Sequence, residues 1–435
     1  MATAETPSSG KRFHYAFVIF IGCCCVCAGA YGAILSTVAV YLIPVTTSLG
    51  CGAGDWMVWM TLFSIVACLT MPVWGKLLHT KNINVVSTAA ALITLVAQLM
   101  FAFGTSVIWY WIWGAVLGAS LACLGALLPP TLINNWFDKS KSGFFLGIAA
   151  ACSGLGAFVF APLFTQFVQM FGWQTTYIAN VAISAVLILP FTLFLFKYKP
   201  ADKGLEPYGR KQGAQAAGAQ AGGAQAVGRE LTGMTKKEAL RSGSFYILAF
   251  MLVCITLIYG FNSNMVALAK ELVGGTVDAA SAAMLGATMV SAASIGNVLS
   301  KIAFGAMSDK LGVTPTFLTF TALVVAAFGI WGFAPASGVA MIVAAFLFGC
   351  NAAIVNVGFP VLTRALFGDK EYAPIYSTVA SVNALLGGVS STVIGFAYQF
   401  LGSYQAAIYA AIAVTLLFGV CFLSIAGRIK KGVAR

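Results

Sequence analysis

Charge is what this sequence has least of. Only 8% of its 435 residues are Asp, Glu, Lys or Arg, while 60% are hydrophobic, and the mean hydropathy is +0.93. A soluble domain of this length needs a charged surface, so the class left is a polytopic helical membrane protein. Histidine is nearly missing too, with His14 and His79 the two in the chain. The 12 Asp and Glu all fall outside the apolar runs. An intramembrane enzyme needs an acid, base, nucleophile or metal set within its spans, so that function is excluded. A transport-like sensor would add a sizeable domain outside the membrane, and no polar segment here is long enough.

Cysteine is plentiful, with 11 residues and a Cys23-Cys24-Cys25-Val26-Cys27 run. All but Cys51 lie in apolar segments, and no histidine or carboxylate nearby completes a zinc site. They read as small apolar packing residues, and no metal or cofactor is expected. The formal net charge of +12 would suggest nucleic acid in a soluble protein. Here every Lys and Arg except Lys270 and Lys301 falls in segments sharing one side of the membrane. That is the positive-inside pattern, which predicts a multi-pass protein of the cytoplasmic (inner) membrane with both termini cytoplasmic and no nucleic-acid partner. Residues 1–12 read as a polar tail leading into a helix, not as a cleavable signal.

Twelve apolar segments are predicted, at 13–48, 56–78, 85–104, 107–135, 143–170, 174–197, 243–269, 280–308, 313–334, 338–362, 373–400 and 404–427. They define an all-α membrane protein with an N-terminal six-helix bundle over 1–197, a cytoplasmic linker over 198–242 and a C-terminal six-helix bundle over 243–435. The linker's Ala/Gly/Gln-rich middle predicts flexibility, and its basic flanks suit an anionic lipid surface. The halves repeat: Gly75 and Gly305, Pro130 and Pro360, Phe137 and Phe367, and Gly172 and Gly402 are all 230 residues apart. Parallel six-helix repeats are the ground plan of major facilitator transporters.

One stretch, Ser291–Gly312, holds the charge that the topology does not explain. Lys301 lies roughly 12 Å inside the boundary marked by Asp309, at about 1.5 Å per residue, which predicts a place near mid-depth. Ser294, Asn297, Lys301, Gly305 and Ser308 recur at spacings of three and four and share a face. An ammonium facing lipid there is costly, so the pattern points to a watery cavity and an anion.

The loop Gly305-Ala306-Met307-Ser308-Asp309-Lys310-Leu311-Gly312 resembles the G-x-x-x-D-[RK]-x-G signature of the major facilitator superfamily. The resemblance implies that Asp309, with Gly305 and Lys310, belongs to a cytoplasmic gate. The first-half counterpart carries His79 where the aspartate would be, and titration of that imidazole would tune the gate. The loop from Asn134 to Gly143, with Trp136 and Phe137, then Gly147, Ser153-Gly154-Leu155-Gly156, Pro162 and Phe171-Gly172-Trp173, is similar to the oxalate–formate antiporter and monocarboxylate transporter branch. In that branch an arginine of the eighth span faces the substrate carboxylate; Lys301 stands at its place here. A lysine often found in the eleventh span is replaced by the Ser381-Val382-Asn383-Ala384 stretch.

With one cation and no paired carboxylate, a monocarboxylate is the best electrostatic match. The substrate-binding residues expected beside Lys301 are Asn297, Asn383, Tyr376, Tyr259, Asn262, Tyr31 and Asn351, with Ser64, Trp59 and Ser390 close to them. The chain thus reads as a monomeric secondary transporter of a small organic carboxylate, embedded in membrane lipid. Without intramembrane carboxylates to carry protons, exchange of anions is expected. The alternatives are proton-coupled carboxylate symport and transport of a neutral organic solute.

Overall fold

Hydrocarbon offers backbone N–H and C=O groups no partner, so a chain of long apolar runs satisfies them within helices. A computed structural model describes residues 14–80, 82–209, 233–273, 275, 277–333, 337–368 and 370–430. The helices are α1 (Ala16–Leu49), α2 (Ala53–Leu78), α3 (Ile83–Phe101) and α4 (Val107–Trp136). A 52-residue stretch, Phe144–Leu195, then divides at Gly172, whose φ of 80° and ψ of 166° break the helix. We label its parts α5 (144–171) and α6 (173–195). Next is α7, a bent pair (Gly243–Ile258 and Phe261–Val273) with a 40° angle between its segments. The remainder are α8 (Ala279–Leu311), α9 (Val313–Phe333), α10 (Gly338–Phe367), α11 (Tyr372–Leu401) and α12 (Tyr404–Lys430). The described residues therefore give twelve crossings, as the hydropathy predicts.

The repeat is written into the backbone as well. Gly172 and Gly402 both take positive φ, 80° and 69°. Wide π-helical turns at Ala122–Leu127 and Ile354–Gly358 precede the prolines Pro130 and Pro360 in α4 and α10. A longer π segment, Cys27–Leu35, lies in α1. Such turns free carbonyls from the ladder. In α1 the Ala33 carbonyl accepts from Asn180 Nδ2 of α6 at 2.9 Å, which satisfies it away from water.

Lipid is as apolar as leucine, so helices associate through close packing of small residues. Gly32 of α1 lies against Gly156 of α5, Gly118 of α4 against the Phe63 backbone of α2, and Gly349 of α10 against Ala293 and Asn297 of α8. Gly147 has open space around it, so packing does not explain that glycine.

Two sequence expectations shift. Lys270, expected in a loop, lies within the second segment of α7. The linker flanks are built rather than loose. Tyr208 N donates to Trp136 O at 2.8 Å, and Met234 N donates to Phe367 O at 2.8 Å. The two ends are thus clipped to equivalent loops of the two halves. A capping box of Thr235 and Glu238 starts a short helix, Lys236–Arg241. The low-complexity middle of the linker lies outside the described residues.

Candidate functional site

Helices from both halves meet around a cavity of about 380 Å³. That is the small end of the range for small-molecule sites. Its polar walls come from α1 (Tyr31, Ser36), α2 (Ser64), α5 (Ser153), α7 (Tyr259, Asn262, Ser263), α8 (Ser294, Asn297) and α11 (Asn383, Ser391). Met60, Phe63 and Phe348 supply apolar surface. None of the lining residues is charged.

Each polar group is aimed by a neighbour. Tyr31 sits in the π segment of α1, and its ring fills the notch over Gly125 of α4, where any Cβ would overlap it. Asn383 Oδ1 accepts from Thr256 Oγ1 at 3.0 Å, which leaves its Nδ2 as a free donor. The Tyr259 hydroxyl lies beside the Asn297 amide, and its ring stacks on Phe348 at 6.2 Å. Ser391 Oγ donates to Ser263 Oγ at 3.0 Å. The arrangement is rich in amide and hydroxyl donors, which can hold the oxygens of an organic solute.

Of the expected binding residues, Tyr31, Tyr259, Asn262, Asn297 and Asn383 line this cavity, and Ser64 joins them. Three lie elsewhere. Lys301 follows Asn297 by four residues, about 6 Å along α8, so it stands beyond the cavity on the same helical face. Along α8, which runs from Ala279 to Leu311, Lys301 is 22 residues from the start and 10 from the end. Lys301 is half-buried, with no hydrogen bond or ion pair among the described residues. Tyr376 is half-buried against the core about 10 Å along α11 from Asn383. Asn351 is fully buried; its Nδ2 donates to Ile255 O at 3.1 Å, and it serves packing between α10 and α7. Ser390 is likewise buried, donating to Gly387 O, and Ser391 takes the lining position. Trp59 is buried edge-on against Phe101. Ser36, Ser153, Ser263 and Ser391 were not expected; their signal is small hydroxyls at helical spacing within apolar runs.

The cavity is shut on the face where loops carry few charges. There α2 and α11 touch through Gly54 and Gly395, and Thr61 Oγ1 bonds Thr392 Oγ1 at 2.8 Å. Gln399 Nε2 donates to Asp55 Oδ2 at 3.0 Å. On the other flank Ser291 Oγ donates to Phe158 O at 2.9 Å and Gln169 Nε2 to Ala280 O at 3.0 Å, closing α8 on α5. Toward the basic face three glycines of these helices stand in open space. Gly75, Gly147 and Gly305 have nothing within 4 Å of where a side chain would begin. Lys310 is exposed there; the side chains of His79 and Asp309 lie outside the described residues.

The profile of the Major Facilitator Superfamily matches residues 19–292 and 252–433. An uncharacterized MFS-type transporter, YhjX of Escherichia coli (strain K12), is 23% identical over 326 residues, covering 73% of each chain. A second, YcxA of Bacillus subtilis (strain 168), is 28% identical over 89 residues, 20% of this chain and 22% of that one. Among solved structures, nucleoside transporter NupG has a TM-score of 0.71 at 12% identity, over 95% of this chain and 99% of its own. A bacterial homolog of the human lysosomal transporter Spinster, inward-facing and unoccupied, has a TM-score of 0.62 at 15% identity over 97% of both. These likenesses concern the fold.

Proposed function

The chain belongs to the major facilitator superfamily, and from that premise we propose that it is a secondary transporter exchanging small organic anions, monocarboxylates first, by alternating access. The observation that carries the cargo class is Lys301. It is an ammonium without a partner among the described residues, on the face of α8 that lines the cavity and one turn beyond Asn297, and no carboxylate is among the lining residues. Under the positive-inside rule the basic face is cytoplasmic, so the arrangement is inward-open. An anion leaving or entering the cavity on that side passes Lys301. An empty carrier must move that charge through a closed state alone, whereas a loaded one moves it neutralised, which favours exchange. The bundles 1–197 and 243–435 are the bodies that rock, with 198–242 joining them.

Proteoliposomes loaded with lactate or left empty give the test. Wild type is expected to take up labelled lactate faster into loaded vesicles. Lys301→Ala is expected to lose at least about tenfold in uptake, the loss of a charge-assisted contact of roughly 1.5–3 kcal/mol. Equal uptake by empty vesicles removes exchange; unchanged uptake by Lys301→Ala removes the anion role of that lysine.

A second reading is favoured by one feature, the absence of any charged side chain in the cavity wall itself. On that reading the cargo is a neutral polar solute, and Lys301→Ala leaves its transport intact.

A further inference from the structure

At the outer face the closed seam lines another cavity, of about 430 Å³. Its polar walls include Thr46 and Thr47 at the end of α1, Cys51 in the following loop, Lys270 of α7, Tyr398 of α11 and Tyr404 of α12. Both halves therefore contribute.

The charges around it do not balance in the usual way. Glu271 accepts from Ser403 Oγ at 2.6 Å and from Tyr404 N at 2.9 Å, at the start of α12. Asp278 accepts from Ser281 N at 3.0 Å at the start of α8. Asp55 stands in the first turn of α2 and accepts from Gln399. Each of these carboxylates thus offsets the positive end of a helix. Lys270 has no such partner. It is half-buried, without hydrogen bond or ion pair among the described residues, and it also lines a cavity of about 300 Å³ on the other flank of α7. Half-buried Tyr398 and exposed Thr47 also line the larger cavity, and their hydroxyls make no hydrogen bond among the described residues.

A lysine at a helix C-terminus is ordinary by itself. That does not account for two further donors, Tyr398 and Thr47, on the wall of the same cavity, whose carboxylate is already occupied. A cation with spare donors beside it is the chemistry of an anion site.

We propose that this cavity is an external binding site for a small carboxylate, held by Lys270, Tyr398 and Thr47, and present only while the outer seam is closed. The proposal rests on the reading of the cargo as an organic anion. Its walls separate when the halves part, because Gly52 of the first half lies tight beneath Gln399 of the second. Occupancy from outside therefore stabilises the inward-open state, and a carboxylate waits at the outer mouth before that mouth opens.

Cys51 is a native reporter in the wall. Burial and the nearby Asp55 carboxylate push its thiol up, so rates are read at about pH 9, where a thiolate fraction exists. Full-length protein in proteoliposomes is treated from outside with a negatively charged, membrane-impermeant thiosulfonate and, in parallel, with a neutral one; Cys51→Ser identifies the signal. Normalised to the neutral reagent, the anionic reagent is expected to react about threefold or more faster with wild type than with Lys270→Gln. External lactate is expected to slow the reaction in wild type and in Lys270→Arg, and not in Lys270→Gln. Equal normalised rates, or protection that persists in Lys270→Gln, overturn the site. Protection through Lys270 in a protein that transports no carboxylate keeps the site and removes the cargo reading. Carboxylate transport without protection removes the site alone.

Discussion

Tyr31 stands in the cavity because position 125 has no side chain. The π segment turns the Tyr31 ring towards α4, and the bare Gly125 backbone receives it. A methyl at position 125 must displace the ring, while the rest of α4 has no reason to move. Gly125→Ala is therefore expected to raise the KM for cargo about tenfold, near 1.4 kcal/mol, with little change in melting temperature. In a Tyr31→Ala background the same substitution is expected to cost almost nothing, because the two act through one contact. Transport kinetics on the double-mutant cycle check this. Asn351 shows the limit of residue-scale reading. A polar residue in an apolar run looks alike in sequence whether it faces a cavity or bonds a neighbouring helix, and here it bonds Ile255. Ser390 and Ser391 differ by one position, about 100° around a helix, and that step separates a buried serine from a lining one.

At the scale of elements, the spans were legible because a waterless interior demands about 20 apolar residues per crossing. The repeat was legible because glycines and prolines at matched positions mark matched breaks. The α5–α6 break at Gly172 and the turns before Pro130 and Pro360 are those marks. What hydropathy does not carry is which way a face turns after a π segment, or how far along a helix the cavity ends. That is why Lys301 and Tyr376 share faces with lining residues and yet lie outside the cavity. At Gly54 the α2–α11 contact depends on size. Gly54 meets the Phe396 backbone and ring, so a valine there leaves no room for the helices to close. Gly54→Val is expected to shift the carrier toward outward-open forms. Thiol accessibility of cysteines placed at positions 60 and 64 from the outside is expected to increase, while uptake falls at least about tenfold. An unchanged labelling pattern counts against the seam.

For the whole molecule, the outer seal must hold and also release. Polar bonds between membrane helices average about 0.6 kcal/mol each. Thr61–Thr392, Gln399–Asp55, Ser291–Phe158 and Gln169–Ala280 therefore contribute roughly 2–3 kcal/mol together, an amount that differential cargo binding can overcome. A covalent bond in place of one of them cannot be overcome so. Thr61→Cys combined with Thr392→Cys is expected to cross-link under mild oxidation, with transport lost and then restored by reductant. Activity that survives complete cross-linking rejects the opening of this seam as a step of the cycle. The two halves and their groove could be anticipated from the sequence; which mouth is closed could not, because both states share one hydropathy profile.

The linker is stitched at Tyr208 to the loop after α4 and at Met234 to the loop after α10. Each stitch travels with its own bundle, so the separation of the two stitches changes as the bundles rock. A fluorescent protein inserted in that interval would ride along without jamming the machine, and a pair of dyes placed at the two stitches would act as calipers on its inner jaws.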